Sequence, residues 1–479
     1  FYDVHLFESL MYNPMVEATP RDTYLKLYQA MDKVAYYNKE REFAFGISMY
    51  SNKIQNYEFM NKENAKGWYT SDGASYLYND DLSHYSDDYW ATVDPYKLAG
   101  ITETNEARAK GSGMTTMDHS FVGSTALGNK YGTVAMDFQN WNKTLTAKKS
   151  WFILGDRIVF LGSDIKNSTD NEAYTVVDNR KVQRASRNRS ASNNDYSVVA
   201  DGKEVPVSDA DSKMQVKDLL LKSKNTQMNI GYKFLEPTTV NVKKENRKGT
   251  WKDINEGQSD EEVENSFISI VQPHDATNNK YAYVLYPNRS AKEFEEEKNN
   301  DDIQVVENSE KTQAVFDKTN QIYGVVKYDD SELTLEDGLV LKEKGIYTIK
   351  KEGNKLDIAF LNPEDPSAGL PALNTDQYEL QNSTEPTVEN KIRYYTYLVK
   401  KQTEEETTQE QTQEQTQQSS SESTTEIRNT EDSKDSNTTK EETLPATGAK
   451  NFEVYSLLGI LLLTISIILY KKTFTKIKK

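Results

Sequence analysis

The sequence predicts an all-β fold for its folded part, with large antiparallel sheets packed face to face as in a sandwich and a boundary between two β units near residue 285. Short runs rich in aromatic and β-branched residues alternate with polar turns, as in Phe43 to Tyr50, Trp151 to Leu154 and Ile322 to Tyr328. Such runs are typical of half-buried strands. Helical periodicity is nearly absent after residue 40, so we expect sheets packed face to face.

Three local patterns add detail to this prediction. Trp151 to Leu161 indicates a hairpin that turns at Gly155-Asp156, because these two residues suit a tight primed turn. The charged segment Ala291 to Asn299 predicts a short helix between two β units. Asp178 to Ser212 is rich in Asn, Ser, Asp and Arg, which favours a loop.

Composition excludes several kinds of site. The chain has 479 residues, enough for about two to four folded units. It contains no cysteine, which excludes disulfides, thiolate metal sites and cysteine nucleophiles. The net charge of −17 disfavours nonspecific binding to nucleic acid, because phosphate contacts need clustered Lys and Arg. This negative net charge still allows an acidic polysaccharide to bind in a local basic groove.

Cofactor and metal motifs are also missing from the sequence. The four histidines, His5, His84, His119 and His274, are scattered and do not have metal-ligand spacing. There is no GxSxG elbow, Gly-rich phosphate loop or dinucleotide fingerprint. We therefore predict neither a cofactor nor a metal centre.

The C-terminal residues carry a distinctive three-part pattern. Leu444-Pro445-Ala446-Thr447-Gly448 precedes the apolar run Val454 to Tyr470, and a lysine-rich tail follows. The apolar run is just long enough to span a bilayer, and the lysines favour the cytoplasmic side. An ordinary membrane anchor is the alternative interpretation.

This order resembles the LPxTG sorting signal of Gram-positive surface proteins. The resemblance implies that a sortase cuts between Thr447 and Gly448 and joins Thr447 to peptidoglycan. The protein would then cross the membrane only before sorting, and its place would be extracellular, on the cell wall.

These observations predict five segments. Lys401 to Thr443 holds 12 acidic and four basic residues, a polarity that predicts a disordered spacer. The chain starts at Phe1 without a signal-peptide pattern, so we expect it to begin inside a longer gene product. The predicted segments are 1–30, the end of a preceding domain and a connector; 31–285, a central β domain; 286–365, a C-terminal β domain; 366–443, a polar acidic linker; and 444–479, the sorting signal with a transmembrane segment at 454–470.

One loop has the composition of a sugar site. Asn56 to Gly73 combines carboxylates, amides, lysines and aromatic residues between strand-like runs. Aromatic faces stack on sugar rings while amides and carboxylates bind hydroxyls. The alternative is a polar interstrand loop in which Trp68 anchors the core.

Several longer runs resemble the β domains of Gram-positive hyaluronate lyases, which belong to the family-eight polysaccharide lyases together with chondroitin and xanthan lyases. The resemblance extends from about residue 30 to about residue 365, and the runs that carry it are Asn61 to Gly73, Asp81 to Tyr85, Pro95 to Lys97, Met136 to Trp141 and Trp251 to Asp260. The resemblance implies a large antiparallel β super-sandwich followed by a smaller C-terminal β domain, and it implies that the domain preceding them is α. In this family an N-terminal α/α toroid packs on the super-sandwich, and substrate lies between them. This sequence lacks the toroid.

The resemblance implies β-elimination of hyaluronan, with chondroitin as a second substrate. An Asn neutralises the uronate carboxylate, a His or Tyr removes the C5 proton, and a Tyr protonates the leaving oxygen. All three lie on the toroid, so none maps onto this chain, and we expect the chain alone to be inactive.

On the sandwich side of the cleft the family places a Glu and, three residues later, an Asn. Glu58 and Asn61 match this spacing, the Glu supporting the catalytic network and the Asn contacting sugar. Glu63, Asn64 and Trp68 are weaker candidates.

Two other classes of function stay open. One is a noncatalytic carbohydrate-binding or adhesion module displayed on a stalk. The other is a glycoside hydrolase with paired carboxylates, although Glu58 and Glu63 are too close in sequence to favour it over a lyase.

Overall fold

A computed structural model describes residues 2–15, 21–182, 196–336, 338–370, 373 and 377–400. The sorting residues Leu444, Pro445, Thr447 and Gly448 lie outside these ranges, as do the predicted transmembrane segment 454–470 and most of the predicted linker. No helix in the described ranges is both long enough and apolar enough to cross a membrane.

The central part of the chain is built from one small and one large antiparallel sheet. The small sheet has the order β1-β2-β3-β4, and the large one runs β12-β11-β13-β14-β16-β9-β8-β7-β6, with β15, β10 and β5 continuing from the second half of the long strand β14. The strands are β1 Tyr24–Tyr28, β2 Lys33–Asn38, β3 Phe43–Ser48, β4 Ala74–Tyr78, β5 Thr102–Thr104, β6 Val122–Leu127, β7 Tyr131–Gln139, β8 Leu145–Leu154, β9 Ile158–Asn167, β10 Ala173–Val182, β11 Ser197–Ala200, β12 Lys203–Val205, β13 Ser212–Lys222, β14 Ile230–Gly249, β15 Val263–His274 and β16 Tyr281–Pro287.

The C-terminal part forms a seven-stranded antiparallel sheet and a short hairpin. The sheet order is β17-β18-β19-β22-β23-β25-β24, and β20 pairs with β21. The strands are β17 Ile303–Asn308, β18 Thr312–Asp317, β19 Ile322–Lys327, β20 Leu333–Thr334, β21 Val340–Leu341, β22 Gly345–Glu352, β23 Lys355–Leu361, β24 Tyr378–Thr384 and β25 Arg393–Val399. These sheets confirm the predicted all-β class and its two-part order.

Helices are short in the described residues: α1 Tyr2–Met11, α2 Tyr89–Thr92 and α3 Ala291–Lys298. The predicted helix corresponds to α3, which begins with a capping box in which Ser290 accepts from the backbone N–H of Glu293 and Glu293 accepts from that of Ser290. The predicted hairpin turns at Gly155-Asp156, where Gly155 has a φ of 75° and the N–H of Leu154 donates to the carbonyl of Arg157 at 3.0 Å. Both local predictions are confirmed.

Aromatic packing joins the two central sheets. Phe45 of β3 meets Phe160 of β9 edge to face, with ring centroids 5.9 Å apart. Phe160 in turn stacks on Tyr283 of β16 at 4.6 Å. All three residues are buried, as the alternating apolar pattern of the strands requires when one face covers a core.

Three of the predicted segment boundaries differ from the strands. β1 pairs with β2 along its whole length, so the central sheets begin before residue 31. β16 extends from Tyr281 to Pro287, so the central sheet continues past the boundary predicted at residue 285. β25 pairs with β23, and Tyr397 is buried, so the C-terminal sheet continues past residue 365 into the predicted linker. The polar residues before β25 hid this strand, because tertiary pairing rather than local composition orders it.

A half-buried ion cluster next to the C-terminal sheet gives the fold a pH-dependent contribution. Nδ1 of His119 lies 3.1 Å from Oδ1 of Asp137, and Nζ of Lys148 lies 2.7 Å from its other oxygen. The hydrogen bond to Asp137 raises the pKa of His119 above its ordinary value of 6.5. The stabilisation is therefore fully present below pH 6.5 and is lost as pH rises through the folded-state pKa.

We expect His119→Gln to be less stable than the wild type at pH 5.5 and nearly equal to it at pH 8.5. The difference at low pH should be at most about 1 kcal/mol, as for other partly exposed ion pairs. Urea denaturation at both pH values measures it. A difference that stays constant or grows with pH would contradict the role of the His119–Asp137 pair.

Candidate functional site

A long loop joins β3 to β4 and carries the residues that the sequence singled out. At its base, Nδ2 of Asn56 donates to the carbonyl of Gly113 at 3.0 Å, and Oδ1 accepts from the N–H of Thr115 at 2.9 Å. The Tyr57 hydroxyl donates to the carbonyl of Ser112 at 2.6 Å. These bonds attach the base of the loop to the segment that precedes β6.

The loop tip, residues 58–64, exposes four of the predicted residues: Glu58, Asn61, Glu63 and Asn64. Three tip residues have positive φ, with 52° at Asn61, 62° at Lys62 and 60° at Asn64. Asn tolerates this region better than most residues, because its short side chain bonds locally. Within the described ranges no side-chain hydrogen bond or ion pair involves Glu58, Asn61 or Glu63, so their polar atoms are available to a ligand.

The loop tip rests on a second segment from far along the chain. Trp251–Asp253 forms one turn of 3-10 helix. The N–H of Asn64 donates to Oδ1 of Asn255 at 2.7 Å across a separation of 191 residues. The N–H of Ala65 donates to the carbonyl of Ile254 at 2.9 Å. Two of the runs that carry the family resemblance are therefore parts of one surface.

Trp68 lies apart from the other predicted residues. Its side chain is only 3% exposed, with its ring centroid 5.3 Å from that of Tyr96 and 5.6 Å from the Arg108 guanidinium. No ring face is open to a sugar. The structure therefore agrees with the alternative in which Trp68 anchors the core beneath the loop.

A buried charged cluster supports the end of the loop. Lys149 is fully buried, and its Nζ donates to the backbone carbonyls of Asp72 at 3.0 Å and Gly100 at 2.8 Å. Burial lowers the pKa of Lys149 to about 7. Burial also raises the pKa of Asp72 to about 6, and burial together with the neighbouring Asp72 raises that of Glu103. Two carboxyl groups and one amine are thus buried together, and the Lys149 hydrogen bonds attach the end of the loop to them.

Gly73 is required at this junction. Its φ is 76°, and a Cβ there would lie 2.8 Å from Nζ of Lys149 and 2.9 Å from the Trp151 ring. Any other residue would combine backbone strain with a steric clash. Because Gly73 has no side chain, the end of the loop can pack directly against Lys149 and Trp151.

A pocket of about 300 Å³ opens beside the loop tip. Its walls are mainly apolar, and the indole rings of Trp90 and Trp251 line it together with amides at the rim. Its lining residues are Asn64, Lys66, Gly67, Thr70, Trp90, Ala91, Val93, Pro95, Leu98, Trp251, Ile254 and Asn255. We call it the indole pocket.

The sequence reasoning missed Trp90 and Trp251 as site residues. Each tryptophan lies among polar residues in the sequence, and this pattern is the signal that could have marked them as exposed site residues. Only the fold, however, brings them into one pocket. No group of three or more His, Asp or Glu residues suitable for a metal ion occurs in the part of the chain that the structure describes.

The fold defines a β-sandwich protein with an exposed polar loop tip beside a pocket lined by two tryptophans. A model of the polysaccharide lyase family 8 super-sandwich domain matches residues 23–298, and one of the family's C-terminal beta-sandwich domain matches residues 304–369. The chain belongs to polysaccharide lyase family 8. A model of the LPXTG cell wall anchor motif matches residues 436–473, so this is a surface protein of the Gram-positive, cell-wall-anchored type.

Known relatives agree with this membership. The hyaluronate lyase of Staphylococcus aureus is 37% identical over 374 residues, which are 77% of this chain and 44% of the relative. A hyaluronate lyase of Enterococcus faecalis is 36% identical over 68% of this chain and 33% of its own. The structure of a Paenibacillus xanthan lyase superposes with a TM-score of 0.72 at 27% identity, covering 83% of this chain and 40% of that enzyme. The chain thus spans less than half the length of these relatives.

Proposed function

We propose that this chain is the β portion of a polysaccharide lyase that cleaves hyaluronan by β-elimination, with chondroitin as a second candidate substrate. The exposed, unpaired Glu58 and Asn61 at the loop tip are the observation that supports this proposal, together with the family membership. In the reaction, the C5 proton of the uronate leaves, the bond to the glycosidic oxygen at C4 breaks, and a C4–C5 double bond forms.

In this proposal the loop tip faces the polysaccharide from the sandwich side. Asn61 contacts sugar, and Glu58 supports the groups that move the protons. Nδ2 of Asn64 donates to the carbonyl of Glu58 at 2.9 Å, which holds the loop tip in shape. The resemblance assigns the catalytic Asn, His and Tyr to a toroid domain, which is not among the described residues.

We further propose that a sortase cleaves between Thr447 and Gly448 and attaches the protein to peptidoglycan. The match to the anchor motif supports this. The lyase would then act on hyaluronan outside the cell while tethered to the wall.

The activity is tested by ultraviolet absorbance during incubation with hyaluronan, which detects the unsaturated uronate product. We expect the complete gene product to generate this chromophore and the present chain alone to generate none. Absence of the chromophore with both proteins, while this chain still retains hyaluronan on a column, would favour a noncatalytic adhesion module. Cleavage without the chromophore would indicate a hydrolase.

Removal of the Asn61 side chain should lower catalysis while the fold stays intact. Loss of one hydrogen bond to sugar costs about 0.5–1.5 kcal/mol, so kcat/KM of the complete enzyme should fall about three- to tenfold. Because Asn61 has a φ of 52°, Asn61→Gly removes the side chain without the backbone strain that Asn61→Ala adds.

Asn354→Ala is the matched control, since Asn354 is exposed in the turn between β22 and β23. It should leave kcat/KM unchanged. Wild-type turnover in both Asn61 variants would remove Asn61 from the site.

A further inference from the structure

We propose that the indole pocket binds the acetamido group of an N-acetylhexosamine unit. This inference rests on the proposed function and deepens it, because hyaluronan and chondroitin both alternate a uronate with an N-acetylhexosamine. It identifies which of the two sugar units the sandwich side of the cleft recognises, and by which group.

The walls of the indole pocket favour an apolar group. Ala91, Val93, Pro95, Leu98 and Ile254 contribute apolar surface. The one ammonium among the described lining residues is that of Lys66, which lies 3.7 Å from one carboxylate oxygen of Asp253, while Lys110 pairs with the other oxygen at 2.9 Å. A methyl group gains by leaving water against the apolar walls.

The rim of the indole pocket offers the two hydrogen-bonding groups that an acetamide needs. Oδ1 of Asn255 already accepts from the backbone N–H of Asn64, and Nδ2 of Asn64 donates to the carbonyl of Glu58. Among the described residues, no partner engages Nδ2 of Asn255 or Oδ1 of Asn64. One donor and one acceptor thus stand open, complementary to the carbonyl and the N–H of the acetamide.

The two indole rings are held in place before any ligand arrives. Nε1 of Trp251 donates to Oδ1 of Asp88 at 2.7 Å. Trp90 packs edge to face on Tyr89, with ring centroids 5.0 Å apart and planes at 89°. Fixed rings bind a sugar face at low entropic cost.

The position of the indole pocket agrees with its proposed role. Asn64 belongs both to the loop tip that carries Glu58 and Asn61 and to the pocket rim. Asn64 thus connects the indole pocket to the loop tip, and in this proposal the neighbouring uronate of the same polymer lies toward Glu58 and Asn61.

The test compares binding of two hyaluronan tetrasaccharides that differ by one methyl group per hexosamine, one N-acetylated and one N-formylated. Isothermal titration calorimetry on the full chain measures both dissociation constants. Burial of one methyl group predicts that the acetylated ligand binds about three- to tenfold more tightly. Equal affinities, or no measurable binding of either tetrasaccharide, would overturn the proposal.

Substitutions of Trp251 test whether the acetyl preference arises in the indole pocket. Trp251→Ala should abolish the preference, whereas Trp251→Phe, which keeps a ring, should retain it. Trp141→Ala is the matched control, because Trp141 is a half-buried indole outside the pocket that stacks on Arg108 at 4.2 Å. An unchanged preference in Trp251→Ala would overturn the proposal.

The lyase assay separates this inference from the proposed function. If the complete gene product forms no unsaturated product but the acetyl preference persists and depends on Trp251, the pocket assignment stands and the lyase proposal fails. If the product forms but formyl and acetyl ligands bind equally, the pocket assignment fails alone.

Discussion

Replacement of Lys149 by methionine should destabilise the chain by about 3–5 kcal/mol, the usual cost of removing one partner from a buried ionic cluster. Lys149 is fully buried, and its Nζ donates to the carbonyls of Asp72 and Gly100. Without it, these carbonyls lose their donor, and Asp72 and Glu103 are left with less compensating charge. Guanidinium denaturation monitored by tryptophan fluorescence measures the loss.

Lys148→Met is the matched control for this variant. Lys148 is the preceding residue on the same strand, with a partly exposed side chain paired to Asp137, and its replacement should cost about 1 kcal/mol. Adding Asp72→Asn to Lys149→Met should recover part of the loss, because it removes one buried charge. Equal denaturation midpoints for the two lysine variants would show that the cluster does not stabilise the loop end.

Gly249→Ala should damage both the fold and the site. A Cβ at Gly249 would lie 1.8 Å from the backbone carbonyl oxygen of Ala91, and a backbone atom cannot rotate away as a side chain can. Ala91 belongs to α2, which also carries Trp90 of the indole pocket. We expect a loss of at least about 1–3 kcal/mol, as for other overpacked sites, and weaker binding of the hyaluronan tetrasaccharide.

Gly257→Ala controls for the general effect of a glycine substitution nearby. A Cβ at Gly257 would have no atom within 4 Å, so both stability and binding should stay at wild-type values. Near-wild-type behaviour of Gly249→Ala would mean that α2 moves freely, and the pocket shape would then not depend on this contact.

Local sequence patterns predicted the elements whose stability depends on neighbouring residues. The Gly155-Asp156 hairpin follows from a turn pair whose glycine adopts positive φ at low cost. The helix α3 follows from its charged run, and the Ser290–Glu293 capping box stabilises its start. The loop containing Glu58 and Asn61 was found from its mixture of carboxylates, amides and rings. These signals lie within a few residues of each other.

Buried polar strands were not predictable in the same way. Asp178 and Arg180 made their segment look like a loop, yet both lie in β10 and are 2% exposed. The Tyr232 hydroxyl of β14 donates to Asp178 at 2.5 Å, and Nε of Arg180 lies 3.4 Å from the same carboxylate. The charges are tolerated in the sheet because they pair with each other and because the hydroxyl of Tyr232, distant in sequence, donates to Asp178.

The sequence by itself determined the all-β class, the order of the two β domains, the wall-anchoring signal and the loop that carries the candidate residues. Only the tertiary structure placed Trp68 in the core, joined the loop tip to Asn255, and brought Trp90 and Trp251 to one pocket. The physical reason is the range of the interactions. Turns, caps and strand patterns depend on adjacent residues, whereas burial and pocket shape depend on contacts between residues far apart in the sequence, such as Trp68 with Arg108 and Asn64 with Asn255.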